Sequence, residues 1–366
     1  MAYKAFNPDF TCRGKQYKEN TTYEENGNEI CEAGVIHYCE NPFDVLDYYP
    51  LVNENGEISE FAEVEPLGKV FKRENKCATN KLRIKAKLGL KGFIKACIDF
   101  TLEKTKIEEI EDGIENDNGN NSAKIGSSGD YAKIGSSGNY AKIGSSGNYA
   151  KIGSSGDSAK IGSSGDYAKI GSSGNYAKIG SSGDYAKIGS SGNYAKIGSS
   201  GDSAQIGSSG DYAQIGSSGD YAKIGSSGNY AKIGSSGDSA KIGSSGDSAQ
   251  IGSSGDSAKI GSSGNYAKIG SSGDSAQIGS SGDYAKITSK GKHSVVMAAG
   301  YQSQAKAKKG SWITLAEWVR TDDEDKKGFC IWIPKCVKTE YVDGERIKED
   351  TFYKLVDGEF KEVEEN

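Results

Sequence analysis

The stretch AKIGSSGDYAKIGSSGNY, residues 123–140, contains one nonapeptide twice, and this nonapeptide recurs eighteen times up to residue 284. The period never slips, because an alanine opens every unit from Ala123 to Ala276. A strict short period is typical of stacked or coiled repeat architectures. This unit therefore decides the fold of the central part of the chain.

Variation within the repeat has a pattern of its own. Ala, Ile, both Gly and both Ser are fixed, whereas Lys alternates with Gln, Asp with Asn, and Tyr with Ser. Alternate residues of a strand face opposite sides, which places Ala and Ile inside. The Gly-Ser-Ser-Gly segment predicts a turn in which glycine adopts a positive φ. The pattern favours a β-solenoid over a disordered Gly/Ser-rich linker, which needs no invariant Ile. The predicted core includes Ile125, Ile134, Ile143, Ile152 and Ile161.

Two nonapeptides, 18 residues, would close one flattened rung, and three would close a triangular rung, which is the alternative. With two per rung, the array makes a rod of roughly 40 Å at ~4.8 Å between strands. Odd and even units would then line opposite faces, with net charges of −1 and +3. We predict a candidate surface ladder in the even units, consisting of Lys133, Tyr140, Lys151, Lys169, Tyr176, Lys187, Tyr194, Tyr212 and Tyr230.

The flanking segments predict a mainly β protein with a small α+β N-terminal domain and a β-rich C-terminal cap. Residues 1–110 form the first, including a helix at about 90–104 that is expected to cap the open first rung. An acidic linker follows at 111–122. The solenoid spans 123–311, where the last units decay but keep the phase of nine. Asp-Gly turns between β-formers predict a β-hairpin module at 312–366.

Charge and composition exclude several classes of function. Residues 1–122 carry a net charge of −7, the repeats +2 and residues 285–366 zero, so charge alone disfavours nucleic-acid binding. No stretch of eighteen apolar residues exists, and the opening segment lacks the apolar core of a signal peptide. We expect a protein of the cytoplasm with no membrane contact.

The sequence contains only weak signals for the binding of a cofactor or a metal ion. The residues Cys12, Cys31, His37 and Cys39 are of the right type for zinc, but their spacing matches no known zinc motif, and we interpret the cysteines as reduced and buried. Calcium binding is disfavoured because the aspartate is displaced from its place in calcium-binding nonapeptides and a lysine lies nearby. An identical unit cannot specify one active centre. We therefore predict no cofactor and no catalytic residue.

Five segments outside the regular units are distinctive: YKAFNPDFTCRGKQY, YCENPFDVLDYY, FAEV, AAGYQSQAKAKKGSWITLAEW and DTFYKLVDGEF. Together with the nonapeptide array they resemble a family of uncharacterised phage and prophage proteins of Gram-positive bacteria. The resemblance covers nearly the whole chain, although the composition of this nonapeptide departs from the family's. It implies a phage accessory gene expressed inside a bacterium.

The functional hypothesis is a non-enzymatic phage or prophage accessory protein that binds a host protein, such as a defence component, through its rod and terminal domains. One alternative is a virion or assembly protein that uses the rod as a spacer. Others are a nucleic-acid-binding or calcium-binding solenoid, and an enzyme within residues 1–110. The sequence leaves the oligomeric state open.

Overall fold

The computed structural model describes residues 1–27, 34–73, 76–105, 116–117, 121–324 and 330–363. The protein is mainly β, with a central β-solenoid of about 11 turns at 18-residue spacing, as predicted. A β-rich domain precedes the solenoid and further strands follow it. At ~4.8 Å per turn the rod is about 50 Å long.

The N-terminal domain consists of small antiparallel sheets. A four-stranded sheet has the order β1-β6-β9-β4, a three-stranded sheet has the order β5-β8-β7, and β2 pairs with β3. A short 3₁₀ helix, Pro42–Asp47, begins at Asn41, whose side chain accepts the N–H of Phe43 at 3.2 Å. The strands are β1 (Ala2–Phe6), β2 (Thr11–Cys12), β3 (Lys15–Gln16), β4 (Thr22–Glu24), β5 (Ile36–Tyr38), β6 (Glu60–Pro66), β7 (Val70–Arg73), β8 (Lys76–Thr79) and β9 (Lys81–Lys87).

One helix, α1 (Gly89–Thr105), follows this domain. Leu90, Phe93 and Ile94 are buried on the apolar stripe that the sequence predicts. The expectation that the helix caps the first rung is wrong, because α1 lies along the side of the rod, against strands that span several rungs. Most of the predicted acidic linker, 111–115 and 118–120, lies outside the described residues.

The rod consists of two parallel sheets whose strands pair in register every 18 residues, Ile143 with Ile161 for example. The first sheet, named the covered sheet, holds β11 (Lys124–Ser127), β13 (Lys142–Ser145), β15 (Lys160–Ser163), β17 (Lys178–Ser181), β19 (Lys196–Ser199), β21 (Gln214–Ser217), β23 (Lys232–Ser235), β25 (Gln250–Ser253), β27 (Lys268–Ser271), β29 (Lys286–Ser289) and β31 (Gln304–Lys306). The second, named the open sheet, holds β10 (Asn116–Asp117), β12 (Lys133–Ser136), β14 (Lys151–Ser154), β16 (Lys169–Ser172), β18 (Lys187–Ser190), β20 (Gln205–Ser208), β22 (Lys223–Ser226), β24 (Lys241–Ser244), β26 (Lys259–Ser262), β28 (Gln277–Ser280) and β30 (Val295–Ala298).

The interior of the rod contains columns of isoleucine, alanine and the first serine of each unit. All five isoleucines predicted for the core, Ile125 to Ile161, are at most 5% exposed. The alanines from Ala141 onward are fully buried. The serine hydroxyls, such as that of Ser181, are buried without a hydrogen-bond partner among the described residues. The bore is therefore narrow and mostly apolar, and stability comes from stacking between rungs.

The turns differ from the prediction. The residue with positive φ is the ninth of the unit, as in Tyr140 (62°) and Ser158 (59°), and no repeat glycine has a positive φ. The second glycine is required for another reason: a Cβ on Gly156 would lie 2.0 Å from the carbonyl oxygen of Gly138 in the preceding rung. Glycine thus permits close stacking of the turns, and the backbone bond from the Tyr140 N–H to the Asp157 oxygen (2.8 Å) holds the left-handed residue.

The C-terminal strands extend both sheets. The long strand β32 (Trp312–Glu324) joins β30 in parallel, and β33 (Cys330–Tyr341) pairs with it as a hairpin. The second hairpin, β34 (Tyr353–Val356) and β35 (Glu359–Glu362), joins the covered sheet through β31. The decaying units at β29 to β31 therefore keep the 18-residue register up to these hairpins.

Candidate functional site

The N-terminal domain and α1 pack on the outward surface of the covered sheet. The outward positions of this sheet include a column of glycines, which leaves room for apolar side chains of the N-terminal domain and α1. A Cβ on Gly216 would lie 3.4 Å from Ile94 of α1, and a Cβ on Gly270 would lie 3.2 Å from Ile58. This side of the rod is therefore occupied by the protein itself.

Two glutamines of the repeat mark where the domain is anchored. The Gln250 side-chain oxygen accepts the N–H of Leu51 at 3.1 Å, and the Gln214 side-chain nitrogen donates to Asp47 at 3.3 Å. Lysine would occupy both places if the unit were unchanged. A neutral amide at these places removes the cost of desolvating an ammonium group. Part of the Lys-to-Gln variation thus belongs to an internal interface.

No residue that the structure describes covers the open sheet in this way, and its outward surface, strands β12 to β28, is named the open face. Two columns run along it, one of lysine or glutamine and one of glycine. A Cβ on Gly189, Gly207 or Gly225 would have no atom within 4 Å. Together the columns form an open trough of about 1830 Å³. The exposed lysines of the open face are Lys133, Lys151, Lys169, Lys187, Lys223, Lys241 and Lys259.

Charges on the open face are arranged in neighbouring columns of opposite sign. No carboxylate of the described residues forms an ion pair with the seven lysines. Each lysine follows an odd-unit Asp or Asn by three residues in the chain, as Lys169 follows Asp166. The turns that carry these odd-unit residues, from Asp130 to Ser275, are named the first edge. Eight aspartates and one asparagine lie there, so a cationic column runs beside an anionic one.

Each Asp or Asn of the turns has a structural task. The Asp220 carboxylate accepts the backbone N–H of Asp238 in the next rung at 2.8 Å, and Asn193 accepts that of Asp211 at 2.8 Å. Both side chains offer an oxygen acceptor, which explains why Asp and Asn interchange. One oxygen of each such carboxylate is engaged in this ladder.

Tyrosines form stacks along both edges. The second edge is the set of even-unit turns from Asn139 to Tyr284. Rings of Tyr176, Tyr194 and Tyr212 stack 4.9–5.0 Å apart and nearly parallel. Tyrosines inside a stack, such as Tyr194 and Tyr212, are 42–43% exposed, whereas Tyr140 and Tyr176, on either side of Ser158, are 63% and 56% exposed. A serine in the ninth place therefore opens a gap in the column.

The candidate surface ladder predicted from the sequence is divided by the structure. Lys133, Lys151, Lys169 and Lys187 lie together on the open face. Even-unit tyrosines lie instead on the second edge, at the far end of each strand, so the two groups do not form one ladder. The predicted net charges of −1 and +3 include the Asp and Asn side chains, which lie in the turns between the strands and not within either sheet. The separated tyrosines are Tyr140, Tyr176, Tyr194, Tyr212 and Tyr230.

The proposed zinc ligands lie in the N-terminal domain. Cys12 and Cys39 are buried, and Cys31 lies outside the described residues. Burial raises the pKa of the Cys39 thiol to about 12, which disfavours the thiolate that zinc requires. Within the described ranges no group of three potential metal ligands occurs.

Comparison with known proteins gives one match. A domain of unknown function, DUF7666, matches residues 1–96, which include the β-rich domain and the start of α1. No curated protein and no solved structure matches the chain. In the part of the chain that the structure describes, no helix has the length and apolar composition of a membrane-spanning segment.

Proposed function

We propose that this chain is a non-enzymatic phage or prophage accessory protein that binds a host protein in the bacterial cytoplasm through the open face. The observation that carries the proposal is the asymmetry of the rod. One sheet is covered by the protein's own N-terminal domain, and the other presents nine nearly identical rungs, seven with lysine and two with glutamine. A sheet that none of the described residues of the N-terminal domain covers supports binding to a partner outside the chain.

Repetition favours binding over catalysis. Each rung offers a lysine or, in two of nine, a glutamine, together with the same glycine and the same serine, about 4.8 Å from the next rung. Such a surface provides many equal contacts and no unique centre. Weak contacts that engage together add up to high avidity. The terminal domains supply the specificity that a uniform rod lacks.

A protein partner suits this surface better than a nucleic acid. The anionic first edge beside the lysines repels a phosphate backbone, whereas a protein surface can present both signs of charge. Stacked tyrosine faces are also shielded by their neighbours, which leaves few ring faces for bases. Tyrosine is enriched at protein interfaces.

Gaps in the tyrosine stacks support the same class of partner. Rings one rung apart are 5.0 Å apart, so the rings of Tyr140 and Tyr176 are about 10 Å apart across Ser158. An aromatic side chain inserted there would take the place of the missing tyrosine at ordinary stacking distance. A similar gap lies at Ser248.

The test fills the trough without disturbing the fold. The triple variant G207T/G225T/G243T adds β-branched side chains where nothing lies within 4 Å, so the sheet keeps its stability. The matched control K124Q/K142Q makes changes that the repeat itself contains, but in the covered sheet and away from the trough. Tagged full-length chains are incubated with lysate of the host bacterium, and the retained proteins are identified by mass spectrometry.

We expect a partner that the wild type and the control retain and the trough-filled variant loses. Removal of one and then two whole 18-residue rungs should weaken retention stepwise. Equal retention by all variants would move binding to the terminal domains and leave the rod a spacer. Failure of every variant to retain a partner would contradict host binding and favour the virion role.

A further inference from the structure

The N-terminal domain encloses a cavity that the rod does not touch. Its volume is about 420 Å³, within the range of small-molecule sites. Strand β1, the segment before the 3₁₀ helix and the β2–β3 hairpin contribute to the wall. Among the lining residues are Lys4, Cys12, Arg13, Lys15, Tyr17 and Lys76.

Lys4 is an unusual residue in this wall because it is only 6% exposed. Its Nζ atom lies 3.4 Å from the Cys12 Sγ atom and 3.2 Å from the His37 carbonyl oxygen. The rings of Phe6 and Tyr17 lie 5.3 and 5.9 Å from it. No carboxylate of the described residues pairs with this nitrogen. Burial lowers the pKa of Lys4, which favours the neutral, nucleophilic form of its amine over the form that an exposed lysine adopts.

The remaining wall selects an anion. Lys15 is paired with Glu25, the acidic residue among the described lining residues, and Lys76 lies over the Tyr48 ring at 4.9 Å. Arg13 is exposed at the wall. Apart from Lys4, three basic side chains and one acidic side chain are among the described lining residues, so this wall carries a net positive charge. Arginine and lysine recognise phosphate and carboxylate groups.

We propose that this cavity binds a small anionic aldehyde or ketone and that Lys4 forms an imine with it. The neutral Lys4 amine attacks the carbonyl carbon to form a C–N bond. The carbonyl oxygen then leaves as water with the two amine protons, which gives the C=N bond without an oxidant or reductant. Cys12 and the His37 carbonyl oxygen hold the amine in place within the wall of the cavity. The site is independent of the open face.

The test compares three aromatic aldehydes on the full-length protein. Pyridoxal 5′-phosphate carries a phosphate, 4-carboxybenzaldehyde carries a carboxylate, and benzaldehyde is neutral. Borohydride traps the imine, and peptide mapping locates it, since the segment around Lys4 occurs once in the chain. We expect Lys4 to be modified at least tenfold faster than the average repeat lysine by an anionic reagent. The faster of the two anionic reagents identifies the preferred anion.

A variant tests the anion preference separately. Arg13 is exposed, so Arg13→Gln leaves the core intact, and it should slow Lys4 modification severalfold by the anionic reagents while benzaldehyde is unaffected. Inorganic phosphate should compete with pyridoxal 5′-phosphate. Modification of Lys4 no faster than that of repeat lysines, or equal rates with charged and neutral aldehydes, would overturn the proposal.

Discussion

Two glycines three residues apart provide a sharp test of how the rungs stack. Gly207 lies outward in β20 with no atom within 4 Å of an added Cβ, whereas a Cβ on Gly210 would lie 2.1 Å from the Gly192 oxygen and 2.9 Å from the Asn193 nitrogen. The obstructing atoms belong to the backbone of the preceding rung. Gly210→Ala should therefore strongly destabilise the rod and Gly207→Ala should not.

The expected loss in the free energy of unfolding follows from how far the turns of neighbouring rungs must move apart. A carbon and an oxygen in contact need more than 3 Å, so the turns must separate by about 1 Å. That separation breaks the inter-rung bonds of the Ser209 N–H to the Ser190 oxygen (3.0 Å) and the Asp211 N–H to Asn193 (2.8 Å). Two bonds at about 1 kcal/mol each and about 1–3 kcal/mol of overpacking give about 3–5 kcal/mol.

The assay is urea unfolding of the two full-length variants and the wild type, followed by circular dichroism. Gly207→Ala should unfold at the wild-type urea concentration or slightly above it, because alanine has less conformational freedom than glycine in the unfolded chain. Gly228→Ala, one rung beyond Gly210, should match Gly210→Ala, since its Cβ would meet the Gly210 oxygen at 2.0 Å. Equal stability of the alanine variants at 207 and 210 would refute the close stacking.

Three further predictions concern the core, the turns and the C-terminal hairpin. Ile224→Ala should lower the free energy of unfolding by about 2–5 kcal/mol, because Ile224 is 3% exposed, and urea titration measures the loss. Asp220→Asn should leave the urea midpoint unchanged, whereas Asp220→Ala should cost about 0.5–1.5 kcal/mol by depriving the Asp238 amide of its acceptor. The Lys335 side chain and the Gly358 N–H hold the pKa of Glu317 at about 2. Since this folded-state pKa lies below the unfolded value of about 4.3, the stabilisation is present above pH 4.3 and is lost as the pH falls toward 2. Glu317→Gln should flatten this acid dependence in near-ultraviolet circular dichroism, and an unchanged slope would contradict it.

The rung was predictable from the sequence because the repeat shows which positions are fixed and which vary. Fixed alanine and isoleucine alternate with variable lysine, and that period of two identifies the inward face. The turn was not predictable from composition, since glycine-rich segments suggest positive φ at glycine. The structure places the positive φ at Tyr140 and its equivalents, where backbone hydrogen bonds between rungs stabilise it. These bonds join different units, so the sequence of one unit does not reveal them.

The position of α1 depends on tertiary packing. Its apolar stripe could pack equally well against the open end of the rod or against the outward surface of one of its sheets. Gln214 and Gln250 contact the N-terminal domain, but they gave no advance signal for this side, because Gln205 and Gln277 lie in even units. Nothing in the sequence indicated that Lys4 is buried, because a lysine between tyrosine and alanine in a strand is expected at the surface. Strand β1 is buried on both faces, which only the assembled domain shows.

The central claim is that the N-terminal domain covers one sheet and leaves the other open. The variants Gly207→Cys and Gly216→Cys place a thiol on the open face and beneath Ile94, respectively. Both positions fall in the same tryptic peptide, 197–223, so mass spectrometry reads the two labelling rates from matched peptides. We predict that a thiol reagent modifies position 207 at least tenfold faster than position 216 in the folded full-length protein. Equal labelling rates would contradict the claim that one sheet is covered and the other open. They would also contradict the binding surface proposed for the rod.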